Sequence, residues 1–390
     1  MGGLPSPDAE HRRGKRIKSY DVGSLPIDGD TELLSKGAII FTSILPLLRG
    51  PDDPKVRSSR IFEEKIVQVF LDKLRAGIDV PNYPQFRDMS LMFLEMIEGI
   101  QRGEKGYTRV KRISLKPEAA IPEVEALRRN ASKLRQEAGA DRIRIKVCVT
   151  GPYTLSSSFE RRDASLFAEL GDSLAEVLSK AIFRGRDAEV ALVAVDEPVL
   201  GFLSDPLLDF GSDGREALLR AWERVCHTAS SRDVETAFHL HNTSDDLFWS
   251  VDSLRIVESH VDDPLYSSEK TKRMLEEKNK FLKASLCITN FDELIMRKLQ
   301  GKSTASGEGL QEKLAQVWKS IQRGEIDPKD FLESSNLMRK RLVQTVERFG
   351  KERVPYAGPE CGLRSFPNYQ CALECLARIS KTVRAFDPST

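Results

Sequence analysis

Two of the chain's five histidines, His239 and His241, stand two residues apart in the sequence FHLHN. They follow the alternating run Val234–Ala237, so we expect them at the end of a β-strand. Side chains two apart on a strand point to the same face, and both imidazoles should therefore project together. Such a pair is a moderate signal for a metal site, because neutral imidazole is a common metal ligand, although paired strand histidines also occur as polar wall residues.

Polar residues follow the other predicted strands at comparable positions, which is expected wherever a strand meets a loop. Histidine, carboxylate and cysteine at neighbouring strand ends are less expected, because together they form the ligand set of Zn²⁺. The cofactor that this combination indicates is zinc. Its predicted ligands are His239, His241, Glu258 and Cys361. The full set of polar strand ends is Ser24, Asp79, Thr150, Asp196 with Glu197, His239 with His241, Glu258 with His260, Asn290 with Asp292, and Glu360 with Cys361.

Short apolar runs that alternate with amphipathic stretches would position these side chains. Strands are predicted for residues 17–25, 77–84, 143–152, 190–198, 235–242, 253–260, 283–290 and 353–363. Helices are predicted for 60–76, 89–100, 163–182, 215–229 and 367–383. Eight strands with helices between them favour an α/β fold, a (β/α)8 TIM barrel whose chemistry lies at the C-terminal ends of the strands. A doubly wound sheet is the alternative, but no GxGxxG follows the first strand.

The chain is predicted to hold one domain. Residues 1–16 are expected to be a disordered basic tail, and residues 17–390 the barrel, with 26–58, 101–142 and 300–327 as loop decorations. Sixty Lys and Arg balance 59 Asp and Glu, which argues against a nucleic-acid or anionic-membrane partner. No apolar run is long enough to span a bilayer, and no secretory signal is expected. Six cysteines are too few for a disulfide framework in so long a chain, so a reducing, cytoplasmic setting is expected.

An ordered set of strand-end motifs carries a family resemblance. DVGSLP (21–26), VTGP (149–152), VDEP (195–198), HLH (239–241) and GPECGLRSFP (358–367) occur in this order. Together they resemble the catalytic, C-terminal barrel of the cobalamin-independent methionine synthase family, over about residues 17–385. The chain is similar to a short, core-type member without a duplicated N-terminal barrel.

The resemblance implies a methyltransferase that methylates the thiol of zinc-bound homocysteine to give methionine. It places His239 and His241 at the family's HxC motif, Glu258 at its glutamate ligand and Cys361 at its late cysteine. Asp196 and His239 are expected to be catalytic. Substrate binding is expected from Ser24, Gln85, Asp196 and Glu197, with Asp196 holding the amine and Ser24 near the carboxylate.

The sequence departs from the family at two positions. His241 stands where the family has a cysteine, and no glutamate occurs in NYPQFRDM (82–89), where Gln85 is the nearest replacement. Histidine in place of cysteine brings less negative charge to the metal. We therefore expect a preference for an activated methyl donor, such as a methylcorrinoid protein, over methyltetrahydrofolate.

Three alternatives remain open at this stage. The first keeps the zinc barrel but methylates another small thiol, such as coenzyme M. The second is a metal-free barrel related to uroporphyrinogen decarboxylase, which has no use for a His/Glu/Cys cluster. The third is a zinc-binding protein without catalytic activity.

Overall fold

A parallel sheet forms the centre of the protein. The structure, a computed structural model, describes residues 16–27, 29, 31–43, 52–202, 204–300 and 308–386. The predicted tail at 1–16 lies outside these ranges except for Arg16, which pairs with Asp79. Strands within the described ranges are β1 (Lys18–Ser19), β2 (Ile97–Arg102), β3 (Tyr107–Leu115), β4 (Ile143–Thr150), β5 (Ala188–Glu197), β6 (Glu235–Leu240), β7 (Ile256–Glu258), β8 (Phe281–Cys287) and β9 (Tyr356–Pro359).

Seven of these strands pair in parallel in the order β1-β9-β8-β7-β6-β5-β4, and β2 and β3 form a separate antiparallel hairpin. The sheet is curled, and residues 78–85 lie between its two edges. Val80 bridges to Tyr20 on one edge, and Asn82 bridges to Lys146 on the other, both in parallel. This segment is the predicted second strand. The α/β class and the parallel sheet predicted from the sequence are confirmed.

Helices cover the outside of the sheet. Those that the structure describes are α1 (Thr31–Phe41), α2 (Pro54–Arg75), α3 (Leu91–Leu94), α4 (Pro122–Arg129), α5 (Ala131–Ala138), α6 (Pro152–Ser156), α7 (Ala164–Ala181), α8 (Asp213–Ser230), α9 (Glu269–Glu277), α10 (Phe291–Gln300), α11 (Glu308–Gln322), α12 (Ser335–Phe349) and α13 (Tyr369–Arg384). Short 3₁₀ turns occur at Pro206–Leu208, Leu247–Ser250, Pro264–Tyr266, Pro328–Phe331 and Lys351–Arg353. Within the ranges given above, no helix is both long and apolar enough to cross a membrane.

Local chemistry explains where the longer helices begin and end. Asp163 caps α7 as predicted, because its side chain accepts a hydrogen bond from the amide of Leu166. Gly77 follows α2 with φ of +94°, a conformation that favours glycine and reverses the chain into the 78–85 segment.

The predicted helix at 89–100 is wrong. Only one turn, α3, is helical, and Ile97 begins the β2–β3 hairpin. Gly99 has φ of +93° and lies at a bulge in the hairpin, where a Cβ would come within 3.0 Å of the backbone of Arg112. Pairing with the next strand of the hairpin therefore overrides the local helical pattern.

Charged groups fill the interior of the curled sheet. Lys146 of β4 and Lys283 of β8 are both fully buried, and each ammonium lies over the ring of Tyr20, at 4.7 and 5.2 Å from its centroid. Glu258 of β7 is also fully buried. The sheet thus encloses a polar interior immediately below the strand ends, where the predicted site residues lie.

Candidate metal centre

Strand register brings the first predicted site residues together. Asp196 of β5 pairs with His239 of β6, which in turn pairs with Glu258 of β7. Residues side by side in a parallel sheet point to the same face. The carboxylates of Asp196 and Glu258 therefore flank the imidazole of His239.

Three donor groups form a compact cluster at these strand ends. One ligand atom each from His239, His241 and Cys361 lies within 4.8 Å of the other two. The Nε2 atom of His241 is 3.4 Å from the Sγ atom of Cys361. Two neutral nitrogens and one sulfur are donors that suit Zn²⁺, and three protein ligands with an open fourth position are typical of catalytic zinc.

The loop after β9 carries Cys361 to the cluster. The amide of Glu360 donates to Cys287 at the end of β8, and the amide of Leu363 donates to the carbonyl of Ser24. Gly362 lies between these anchors, where a Cβ would overlap with the hydroxyl of Ser24. The glycine therefore allows the loop to pack closely against the chain that follows β1.

Burial keeps the two imidazoles neutral. It lowers the pKa of His239, and together with neighbouring His239 and His260 it lowers the pKa of His241 to about 2. Both ring nitrogens of His239 lack a hydrogen-bond partner, although the residue is only 2% exposed. Buried polar atoms are normally satisfied, so the orphaned nitrogens indicate a missing partner such as a cation. The residues therefore fit zinc.

Cys361 completes the cluster as a protonated thiol when no cation is present. Burial raises its pKa to about 12, and the charge of Asp196 adds to this effect. A metal ligand must be the thiolate. Zinc binding would therefore release a proton from this residue and depend on pH.

Glu258 lies beside the cluster and outside it. Its Oε1 atom is 3.6 Å from Nδ1 of His239, which is too long for a hydrogen bond, and its Oε2 atom forms an ion pair with Lys283. Burial opposes its ionisation, but Lys283 and His239 outweigh that effect and hold its pKa well below the ordinary value. The sequence predicts Glu258 as a metal ligand, whereas the structure shows a carboxylate already paired with an ammonium.

The predicted substrate contacts fall into two groups. Asp196 is 3% exposed, its Oδ1 atom has no hydrogen-bond partner, and burial raises its pKa to about 7. Ser24 and Gln85 form a parallel backbone bridge between adjacent segments, and the side-chain amide of Gln85 donates to the thiol of Cys148 at 2.9 Å. Asp196 thus has an oxygen free for a ligand, and Gln85 contacts β4, the strand that pairs with the strand of Asp196.

Glu197 faces the protein rather than the opening. Its carboxylate accepts hydrogen bonds from the amides of Tyr153 and Thr154, from the Thr154 hydroxyl and from the Trp222 indole. Gly151 makes room for it, because a Cβ there would overlap with the Glu197 carboxylate. The arrangement gives Glu197 a structural role at the start of α6 and leaves its predicted substrate contact without a free oxygen.

Sequence reasoning missed the buried lysines of the site. Lys146 and Lys283 each stand in the middle of an apolar strand, in IRIKVCV and FLKASLC. A lysine is almost never fully buried unless it is paired, so a lysine inside such a run was the available signal. His260 also lies close to the cluster, since its ring centroid is 4.2 Å from that of His241.

The family described as the catalytic domain of cobalamin-independent synthase matches residues 54–284, which include Asp196, His239, His241 and Glu258 but neither Ser24 nor Cys361. No curated protein matches at a significant level.

Solved structures share the fold at low sequence identity. A B12-independent methionine synthase from Shewanella sp. W3-18-1, solved with selenomethionine, has a TM-score of 0.56 and 14% identity, over 95% of this chain and 97% of that one. A Listeria monocytogenes protein, described as a candidate vitamin-B12-independent methionine synthase, has a TM-score of 0.52 and 14% identity, over 95% and 98%.

Proposed function

Because the chain belongs to the cobalamin-independent synthase catalytic-domain family, we propose that this methyltransferase methylates the thiol of homocysteine to give methionine, with zinc as cofactor. The observation that carries the proposal is the cluster of His239, His241 and Cys361, whose donor atoms lie within 4.8 Å of one another. The orphaned nitrogens of His239 support it, because a bound cation would satisfy one of them.

The proposed ligands are His239, His241 and Cys361, at the rim of what we propose to be a closed (β/α)8 barrel over residues 17–390. A zinc ion there supplies Lewis acidity, which lowers the pKa of a thiol that coordinates it. The two histidines need to release no proton before they bind, because burial already keeps them neutral.

Asp196 is the residue that we propose binds the ammonium of homocysteine. Its buried carboxylate has an oxygen free of partners and is next to His239 in the sheet. A sulfonate thiol such as coenzyme M has no ammonium for it, which disfavours that acceptor. We propose that Ser24 and Gln85 hold the other end of the amino acid, so that the sulfur is aligned for in-line attack on the methyl group.

Methylated folate is the methyl donor that the family supports, since its members are described as independent of cobalamin. A methylcorrinoid protein as methyl donor stays a prediction from the histidine at position 241. The cytoplasmic location also stays a prediction. An assay that offers methyltetrahydrofolate and methylcobalamin in parallel reactions distinguishes these two possible methyl donors.

The experiment that tests the proposal combines zinc content with methyl transfer to homocysteine. We expect about one zinc per purified chain by the three-ligand argument, and methionine from at least one donor. Cys361→Ala should lose both zinc and activity. Cys371→Ala, a control at a buried cysteine of α13 outside the donor cluster, should keep both. A folded wild-type protein that binds no zinc, or that makes no methionine from either donor, refutes the proposal.

A further inference from the structure

Lys283 is fixed in the interior by three separate elements. Its ammonium pairs with Glu258 of β7, donates to the carbonyl of Pro359 at the end of β9, and lies 5.2 Å from the ring centroid of Tyr20. Gly358 packs against the Tyr20 carbonyl, with which a Cβ would overlap, and such a Cβ would also lie 3.0 Å from Cε of the lysine. The position of the ammonium is therefore built into the sheet.

The two oxygens of Glu258 have different neighbours. Oε2 meets the ammonium of Lys283, whereas Oε1 faces Nδ1 of His239 at 3.6 Å. A carboxylate that accepts a hydrogen bond from Nδ1 fixes the orientation and the tautomer of a metal-binding imidazole, and Oε1 is the acceptor placed nearest to Nδ1, although 3.6 Å is still too long for that bond. Nε2 of His239 is then the nitrogen left for the metal cluster with His241 and Cys361.

We infer that Lys283 is a positioning residue, which holds Glu258 out of the metal's coordination shell and keeps the fourth position open for the substrate thiol. Glu258 acts through His239, as an outer carboxylate. The inference rests on the proposed function, because it concerns the same zinc site. It differs from the sequence-based prediction that Glu258 is itself a ligand.

Electrostatics favours this assignment over direct ligation. The side chains of Lys283 and Glu258 are both 0% exposed, so water cannot replace either partner. A carboxylate that turned from the lysine to the metal would leave a buried ammonium uncompensated, which is strongly unfavourable. Lys283 therefore opposes ligation by Glu258 and keeps the carboxylate beside His239.

Cobalt substitution tests the assignment, because the visible bands of Co²⁺ report its ligands in a tetrahedral zinc site. Zinc affinity, from chelator competition, and Co²⁺ spectra would be measured for the wild type, Glu258→Gln, His241→Gln and Lys283→Met. Glu258→Gln should lose about 10–100-fold in zinc affinity, as is usual for an outer partner, with the Co²⁺ bands unchanged. His241→Gln should change the bands.

Lys283→Met should change the bands as well, since Glu258 is then free to reach the metal, and the double variant with Glu258→Gln should restore them. Lys73→Met is the matched control. Lys73 forms a buried ion pair with Asp21 and contacts none of the three proposed ligands. It should leave both the bands and the zinc affinity unchanged.

Each contrary result has a definite meaning. Altered bands in Glu258→Gln would make Glu258 a ligand and overturn the inference, and so would an unchanged zinc affinity, which would remove any link to the metal. Unchanged bands in Lys283→Met would overturn the role of the lysine. A wild-type protein without zinc would instead refute the proposed function, so the two failures are distinguishable.

Discussion

Separating the buried pair Lys283–Glu258 should destabilise the protein far more than removing it. Lys283→Met leaves a carboxylate without a partner, and Glu258→Gln leaves an ammonium without one. Both side chains are 0% exposed, so neither orphaned charge can recover its hydration. The double variant removes both charges and leaves groups of similar size. Buried pairs replaced in this way are often neutral in stability.

A buried group that has lost its partner can become neutral instead of staying charged. The free energy of that neutralisation limits the loss of stability in each single variant. At pH 7, neutralising a glutamate of ordinary pKa 4.3 costs about 3.7 kcal/mol, and neutralising a lysine of ordinary pKa 10.4 costs about 4.6 kcal/mol. These upper limits on the loss of stability agree with the roughly 3–5 kcal/mol found when one partner of a buried pair is removed. With the double variant within about 2 kcal/mol of the wild type, the coupling free energy should exceed about 3 kcal/mol.

Urea unfolding at pH 7, with a chelator to remove metal, measures the free energy of unfolding of the wild type, the two single variants and the double variant. The pH dependence has a defined sign. In the wild type the pKa of Glu258 is lowered, so its stabilisation is lost as pH falls; in Lys283→Met a buried carboxyl is favoured when protonated. The difference in free energy of unfolding between the wild type and Lys283→Met should therefore become smaller at acid pH.

A matched cycle on Lys73 and Asp21, a pair that is 0% and 3% exposed at 2.7 Å, provides the control. It should show coupling of comparable size without affecting the metal cluster. A coupling free energy between Lys283 and Glu258 below about 1 kcal/mol, the value of a surface pair, would refute the reasoning.

Two further predictions concern other buried charges. Asp196→Asn should lower kcat/KM for homocysteine by about 10–150-fold, the equivalent of a charge-assisted hydrogen bond worth about 1.5–3 kcal/mol, mainly through KM; an unchanged KM would remove Asp196 from the ammonium site. Burial lowers the pKa of Lys280 from 10.5 to about 8, so the unfolded chain holds the proton between these pH values and the folded chain does not. The wild type should therefore gain stability relative to Lys280→Met as pH rises from about 8 to 10.5, by at most about 3 kcal/mol, and urea unfolding that shows no such rise would contradict the shift.

Much of the candidate site could be predicted because its residues stand at strand ends. The HLH spacing places both imidazoles on one face, and parallel register then brings Asp196 and Glu258 to either side of His239. Cys361 is harder, since it lies beyond β9 on a loop. The sequence predicts it at the end of the last strand, but β9 stops at Pro359, and the structure shows the close contact of Gly362 with Ser24 that brings it in.

What the sequence could not predict depends on which partner a segment or side chain meets in the fold. Residues 89–100 have a helical pattern, but β3 pairs with the chain from Ile97 onward, so the last four of these residues are a strand. The roles of Glu258 and Glu197 likewise depend on which donors meet them. Glu197 accepts hydrogen bonds from α6 and from Trp222, whereas Glu258 forms an ion pair with Lys283. A strand-end glutamate looks the same in all these cases, because the sequence does not reveal its neighbour.

Charge balance gives a physical reason for the pairing of Glu258 with Lys283. Two neutral imidazoles leave Cys361 as the one anionic group in the donor cluster, so a Zn²⁺ ion there would still carry one uncompensated positive charge. A substrate sulfur that has lost its proton would supply the missing negative charge, and the ion with its ligands would then be neutral. Glu258 as a ligand would supply that charge from the protein and leave Lys283 unpaired in the interior, which is the costlier arrangement. The buried lysine therefore favours a metal site whose charge is completed by the substrate.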